Sequence, residues 1–159
     1  MPRTFEITNR PSDVRIAIAV SRFNESITQR LLEGAVQTLS ATGVADQDII
    51  VAWTPGAFEL PMVAQRFVTR GGIDAVVCLG AVIRGETSHD QHINQSISRQ
   101  FAEISVRSGI PVMFGVLTCD SVEQAINRAG GAKGNKGSEC AEAALDMIGL
   151  LRLIDHEDY

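Results

Sequence analysis

An α/β fold built on a mainly parallel sheet with helices on both sides is predicted by three features of this 159-residue chain. Short, nearly continuous apolar runs alternate with stretches whose apolar residues recur about every four positions. The runs lack the in-and-out alternation of a half-exposed strand, so they fit strands covered on both faces. Glycine and proline punctuate the joins, and repeated strand-then-helix order requires right-handed crossovers. The length suits one domain, residues 1–159, with residues 1–13 as an N-terminal arm.

Arg15 to Val20 (RIAIAV) is the first such run. After the polar turn Ser21-Arg22-Phe23-Asn24, Ile27, Leu31, Ala35 and Leu39 mark one face of a helix that ends at Gly43. Ile49 to Trp53 reads as a second strand closed by Thr54-Pro55-Gly56. A helix then starts near Ala57 or Phe58, with Pro61 tolerated only in its first turn. Gly71-Gly72 breaks that helix, and Ala75 to Ile83 forms the third strand. Ile93, Ile97, Phe101 and Ile104 mark a long third helix that begins at Thr87 or Ser88 and stops before Gly109 and Pro111. Val112 to Leu117 is the fourth strand, and Asp120 with Glu123 has capping-box spacing for a further helix. A basic glycine-rich loop from Gly130 to Gly137 leads into the last helix, where Ala144, Leu145, Ile148 and Leu151 face the sheet. Thr4 to Thr8 supplies a possible extra N-terminal strand, free to pair with a neighbouring subunit.

A net charge of −5 argues against nucleic acid or a membrane surface as the main partner, because both are anionic. Any anionic ligand must be met by local groups. Cys78, Cys119 and Cys140 are odd in number and show no CxxC spacing, which places the chain in a reducing compartment. MPRTFEITNR has no apolar h-region and no stretch reaches the roughly 18 apolar residues of a membrane span, so a cytoplasmic location is expected.

Ligands of such sheets bind beyond the carboxyl ends of the strands. The third strand leads there into GAVIRGETSHDQH, residues 80 to 92. With a helix starting at Thr87 or Ser88, the amides of Glu86, Thr87 and Ser88 lie at the positive end of its dipole, which is an anion site. The hydroxyls of Thr87 and Ser88 add donors, and His89 exchanges protons near neutral pH. On this stretch alone the same residues also read as an ordinary helix cap with a surface histidine. His89, His92 and Asp90 make an incomplete ligand set, so no metal is expected.

Four further stretches accompany it: SRFN at 21–24, PGAFELP at 55–61, PVMFGVLT at 111–118 and INRAGGAKGNKG at 126–137. Together and in this order they resemble the lumazine synthase family, from about the first strand to the last helix. The resemblance implies a flavodoxin-like, three-layer αβα sandwich with a four-stranded parallel core sheet, assembled as pentamers. It implies condensation of 5-amino-6-(D-ribitylamino)uracil with 3,4-dihydroxy-2-butanone 4-phosphate, without a metal or organic cofactor.

The same resemblance assigns roles to residues. His89 matches the proton-transfer histidine, and Phe23 the aromatic that stacks on the pyrimidine. Ala57, Phe58 and Glu59 match the segment that binds the ribityl chain, and Val82 and Ile83 the backbone that reads the pyrimidine edge. Glu86 and Thr87 match the phosphate-binding turn. Phe114, Arg128 and Lys136 match groups that an adjacent subunit supplies, Arg128 clamping the phosphate through its two-donor fork. Read singly, Phe23 and Phe114 are equally core aromatics, Glu59 a solvated first-turn glutamate, and Lys133 and Lys136 loop charges.

Family members occur as free pentamers or as icosahedral shells of pentamers. The compact 130–137 loop favours the shell, and riboflavin synthase is then a candidate enclosed partner. Where the family commonly has His-Phe-Asp-Tyr-Val, this chain reads His89-Asp90-Gln91-His92-Ile93. Asp90 is positioned either to act on His89 or to cap the helix, and His92 to line the fivefold channel. Trp53 is expected to report ligand binding by fluorescence. Two rival readings are a flavin-binding module and an inactive shell-forming homologue. Against the first, SRFNES lacks the hydroxyl and glycine density of a flavin phosphate loop.

Overall fold

A computed structural model describes residues 1–159. Strand β1 (Ile16–Ser21) is followed by α1 (Glu25–Thr42), β2 (Ile49–Thr54), α2 (Leu60–Arg70), β3 (Ala75–Ile83) and α3 (His89–Ser108). Then come β4 (Val112–Cys119), α4 (Val122–Asn127), the short strands β5 (Ala129–Gly131) and β6 (Gly134–Asn135), and α5 (Lys136–His156). The four long strands form one parallel sheet in the order β2-β1-β3-β4, in register from Ile16 against Ile49 and Ala75.

Alternate residues of each central strand point to opposite faces, and the two faces carry different side chains. Ile16, Ile18 and Val20 join Val77, Leu79 and Leu117 in a core sealed by Leu31 and Leu39 of α1 and by Ala141, Ala144, Leu145 and Ile148 of α5. Ala17 and Ala19 join Val76, Cys78 and Val116 in a smaller core sealed by Leu60 and Ala64 of α2 and by Ile97, Phe101 and Ile104 of α3. Three layers result, and the helix–sheet–helix sandwich expected from the sequence is present. Each fully buried leucine or isoleucine contributes about 1.5–3 kcal/mol to it.

The differences are local. The helix at 87–88 begins later, at His89, because Thr87 and Ser88 are taken up in the turn and Ser88 becomes the N-cap. Ala57–Glu59 is a single tight 3-10 turn before α2, with Pro61 in the first turn of that helix as expected. Asp120 does not cap α4. Ser121 does, its Oγ accepting from the amide of Gln124 at 3.2 Å, while the Gln124 side chain accepts from the amide of Asp120 at 2.8 Å. Strand β4 continues two residues further, to Cys119, because β3 extends to pair with it. Part of the glycine-rich loop folds into the β5–β6 hairpin.

Residues 1–13 form no strand within the chain. They run along α5 instead, held by ion pairs from Arg3 to Glu157 (2.9 Å), Arg10 to Asp146 (2.8 Å) and Arg152 to Asp13 (2.8 Å). Arg152 holds the Asp13 carboxyl below its usual range. No helix is long and apolar enough to cross a membrane.

Candidate active site

Because β1, β2 and β3 are parallel, their carboxyl ends lie along one edge, and the segments that leave them enclose a cleft of about 440 Å³. That volume suits a small organic ligand. Its lining includes Phe23 after β1, Ala57, Phe58 and Glu59 after β2, Val82 and Ile83 at the end of β3, and Thr87, His89 and Asp90 at the start of α3.

Local bonds fix these walls. Asn24 takes the left-handed conformation, φ 61°, and its side chain donates to the carbonyl of Ala81 at 2.9 Å, tying the β1–α1 turn to β3. Thr28 Oγ1 donates to the Ser21 carbonyl at 2.7 Å and locks the other side of that turn. Phe23 is thereby held at the cleft with 69% of its surface exposed, an aromatic face displayed outside any core. Thr54 Oγ1 donates to the Gly56 carbonyl at 2.7 Å and sets the bend that brings 57–59 to the opposite wall. Phe58 is likewise 63% exposed.

The third wall is the turn between β3 and α3. The amides of Glu86, Thr87 and Ser88 donate to no protein acceptor, while the amide of His89 donates to Thr87 Oγ1 at 3.3 Å. Free amides ahead of a 20-residue helix create positive potential, which suits an anion. From this turn Thr87 and His89 line the cleft, and Ser88 does not. Glu86 is exposed and is not part of the lining.

Phe114, Arg128 and Lys136 line none of this cleft. Phe114, on edge strand β4, packs against Phe101 with ring centroids 5.7 Å apart and stays 41% exposed. Arg128, after α4, lines a smaller hollow with Thr118, Cys119, Gln124, Asn127 and Lys133. Lys136 opens α5, 3.9 Å from Glu139. Trp53 stacks on Arg22, whose guanidinium carbon is 4.9 Å from the ring centroid, and contributes no surface to the cleft.

The sequence reading missed a cluster at the rim. Asp90 is not a helix cap: its side chain is 5% exposed, and Arg84 Nε lies 3.7 Å from its Oδ2. The other arm of Arg84 is 3.3 Å from Asp120. Spacing carried a signal, since Asp90 precedes Ile97 by one heptad and shares the buried stripe of α3 with Ile97, Phe101 and Ile104. His92 sits outside that stripe, with Nε2 3.5 Å from Ser88 Oγ. The thiols of Cys78, Cys119 and Cys140 are all free and buried, and burial pushes each above its ordinary pKa.

Fold and cleft together define an α/β protein with an open cleft at the carboxyl edge of a doubly covered parallel sheet, pairing unpartnered amides with exposed aromatic faces. Residues 13–152 match the family model described as 6,7-dimethyl-8-ribityllumazine synthase. A Pediococcus pentosaceus protein named 6,7-dimethyl-8-ribityllumazine synthase is 51% identical over 146 residues, covering 92% of this chain and 94% of that protein. The chain belongs to the 6,7-dimethyl-8-ribityllumazine synthase family.

Proposed function

We propose that the chain is a transferase that condenses 5-amino-6-(D-ribitylamino)uracil with 3,4-dihydroxy-2-butanone 4-phosphate. The products are 6,7-dimethyl-8-ribityllumazine, phosphate and water, in the penultimate step of riboflavin biosynthesis. The observation that carries this reading is the convergence of Phe23, residues 57–59, Val82 and Ile83, and Thr87 with His89 around one cleft from three separate strand ends.

Each wall suits one part of the chemistry. Phe23 offers a flat apolar face to the pyrimidine, and the backbone of Val82 and Ile83 offers donors and acceptors to its edge. Residues 57–59, with the Glu59 carboxylate as acceptor, take the hydroxyls of the ribityl chain. The free amides of residues 86–88 and the Thr87 hydroxyl take the phosphate. The amine of the pyrimidine attacks the ketone, and loss of water gives an imine. Elimination of phosphate, enol-to-ketone tautomerisation and ring closure with a second dehydration follow. His89 moves protons between these steps, from a position beside the departing phosphate. The sequence of steps is redox-neutral, so it calls for no redox cofactor.

In this reading Phe114, Arg128 and Lys136 complete the cleft of an adjacent subunit. They lie on edge strand β4, after α4 and at the start of α5, away from the cleft wall of their own chain. A surface that supplies residues at one flank and needs them at another makes head-to-tail contacts, which close into a ring when the rotation between subunits divides a full turn. The ring is a pentamer, and the compact hairpin favours an icosahedral shell of pentamers. In that shell the N-terminal arm leaves α5 to pair with a neighbour, and riboflavin synthase is a candidate guest. The assembly works in the cytoplasm.

The test mixes purified protein with both substrates and follows lumazine fluorescence against the uncatalysed rate. Acceleration that Arg128→Ala removes supports both the reaction and the shared site. No acceleration by assembled protein refutes the reading. Light scattering that gives a free pentamer refutes the shell.

A further inference from the structure

The anion cradle occupies a loop, and the two ends of that loop are joined by the ion pair described above. Arg84 is the first residue after β3 and Asp90 the second residue of α3, so the pair closes the base of the segment that carries the free amides of Glu86, Thr87 and Ser88. We propose that the Arg84–Asp90 ion pair is a staple that holds this loop in its anion-binding shape, and that Asp90 is a positioning residue for the phosphate substrate. The inference rests on the reaction assigned above.

Three observations carry it. A carboxylate that is 5% exposed, at the head of a stripe whose other buried members, Ile97, Phe101 and Ile104, are apolar, is costly unless a counter-charge accompanies it. Asp90 Oδ2 is buried and has no hydrogen-bond partner, so Arg84 at 3.7 Å is its compensation. The guanidinium is itself braced: Arg84 reaches Asp120 at 3.3 Å, and its amide donates to the Cys119 carbonyl at 2.8 Å. One residue, through its backbone and its side chain, therefore ties together the ends of β3 and β4 and the start of α3.

The Ser88 carbonyl accepts from the amides of Gln91 and His92 at 3.1 and 3.3 Å, but for residues 85–87 the one bond that holds the turn is that from the His89 amide to Thr87 Oγ1. Amides bind an anion well only when they are held convergent beforehand, because ordering them at the moment of binding consumes affinity. A competing arrangement makes the opposite prediction. If Asp90 merely added negative charge beside the cradle, neutralising it would tighten anion binding.

The experiment titrates the assembled protein, its Asp90→Asn and Arg84→Gln variants and the double variant with inorganic phosphate, and also measures KM for each substrate. The staple predicts phosphate affinity lower by about five- to tenfold in each single variant and no lower in the double, the signature of two coupled groups. KM should rise for the phosphate substrate and stay unchanged for the pyrimidine, a split that general loosening of the fold would not produce. Tighter or unchanged phosphate binding by Asp90→Asn, or losses that add in the double variant, overturns the proposal. If one single variant fails to fold, the other decides by the same split. Failure of the unmodified protein to form lumazine would strike the assigned reaction, while the phosphate titration would still judge the staple. Absence of phosphate binding by unmodified protein overturns the staple itself.

Discussion

Gly137→Ala separates local propensity from tertiary packing, because the two give opposite signs. Gly137 lies in the first turn of α5, where alanine should stabilise the helix by about 1 kcal/mol. The structure places the backbone of α1 against it. A Cβ added there overlaps the Leu31 carbonyl oxygen and lies 2.7 Å from the Leu31 carbonyl carbon. Neither atom can rotate away, since both belong to the helix backbone. Restoring ordinary contact requires α5 to move by about 1.5 Å, which lifts Cys140, Ala141 and Ala144 from the larger core. Overpacking of this kind costs up to about 3 kcal/mol and more where backbone is the obstacle, so the net change is a loss of about 2–3 kcal/mol. For a domain of this size that lowers the midpoint by about 4–12 °C, read by circular dichroism during thermal unfolding. An unchanged or raised midpoint refutes the argument, because it would mean that helix propensity outweighs the contact with α1.

Replacing His89 with alanine should slow lumazine formation by up to about 100-fold, at the low end for a lost proton-transfer group because phosphate and water also carry protons. Assembly, checked by light scattering, should be unchanged. Phe23→Ser should raise KM for the pyrimidine by about two- to tenfold through loss of stacking, with KM for the phosphate substrate unaltered; equal changes in both would remove the stacking role. The three buried thiols have pKa values raised by burial, so the unfolded chain ionises first as pH rises. Their contribution to stability is therefore complete below the ordinary thiol value of about 8.5 and declines above it. Urea midpoints should fall between about pH 8 and pH 10, and less steeply in Cys78→Ala, in which one of these thiols is absent.

Sequence alone determined the sandwich, because its signals are local and redundant. Continuous apolar runs such as Ala75 to Ile83 specify strands covered on both faces, and the fourfold spacing of Ile27, Leu31, Ala35 and Leu39 specifies a helix with one buried side. Gly43, at φ 109°, ends that helix where the chain must turn through a left-handed conformation. The cleft was legible in outline, since every strand end carries unusual chemistry and parallel strands place those ends along one edge. Only the tertiary structure decided the rest. Asp90 was legible as polar and as part of a heptad, yet whether it capped a helix, acted on His89 or paired with a cation depended on how the turn folds Arg84 back across it and on Asp120 arriving from the end of β4. Thr4 to Thr8 has strand-like composition, but the charges of Arg3, Arg10 and Asp13 found partners on α5 or at its C-cap, more than 130 residues away in each case. Local pattern specifies which face of an element is buried. It cannot specify which distant charge compensates a buried one, because that choice exists only after the elements have packed.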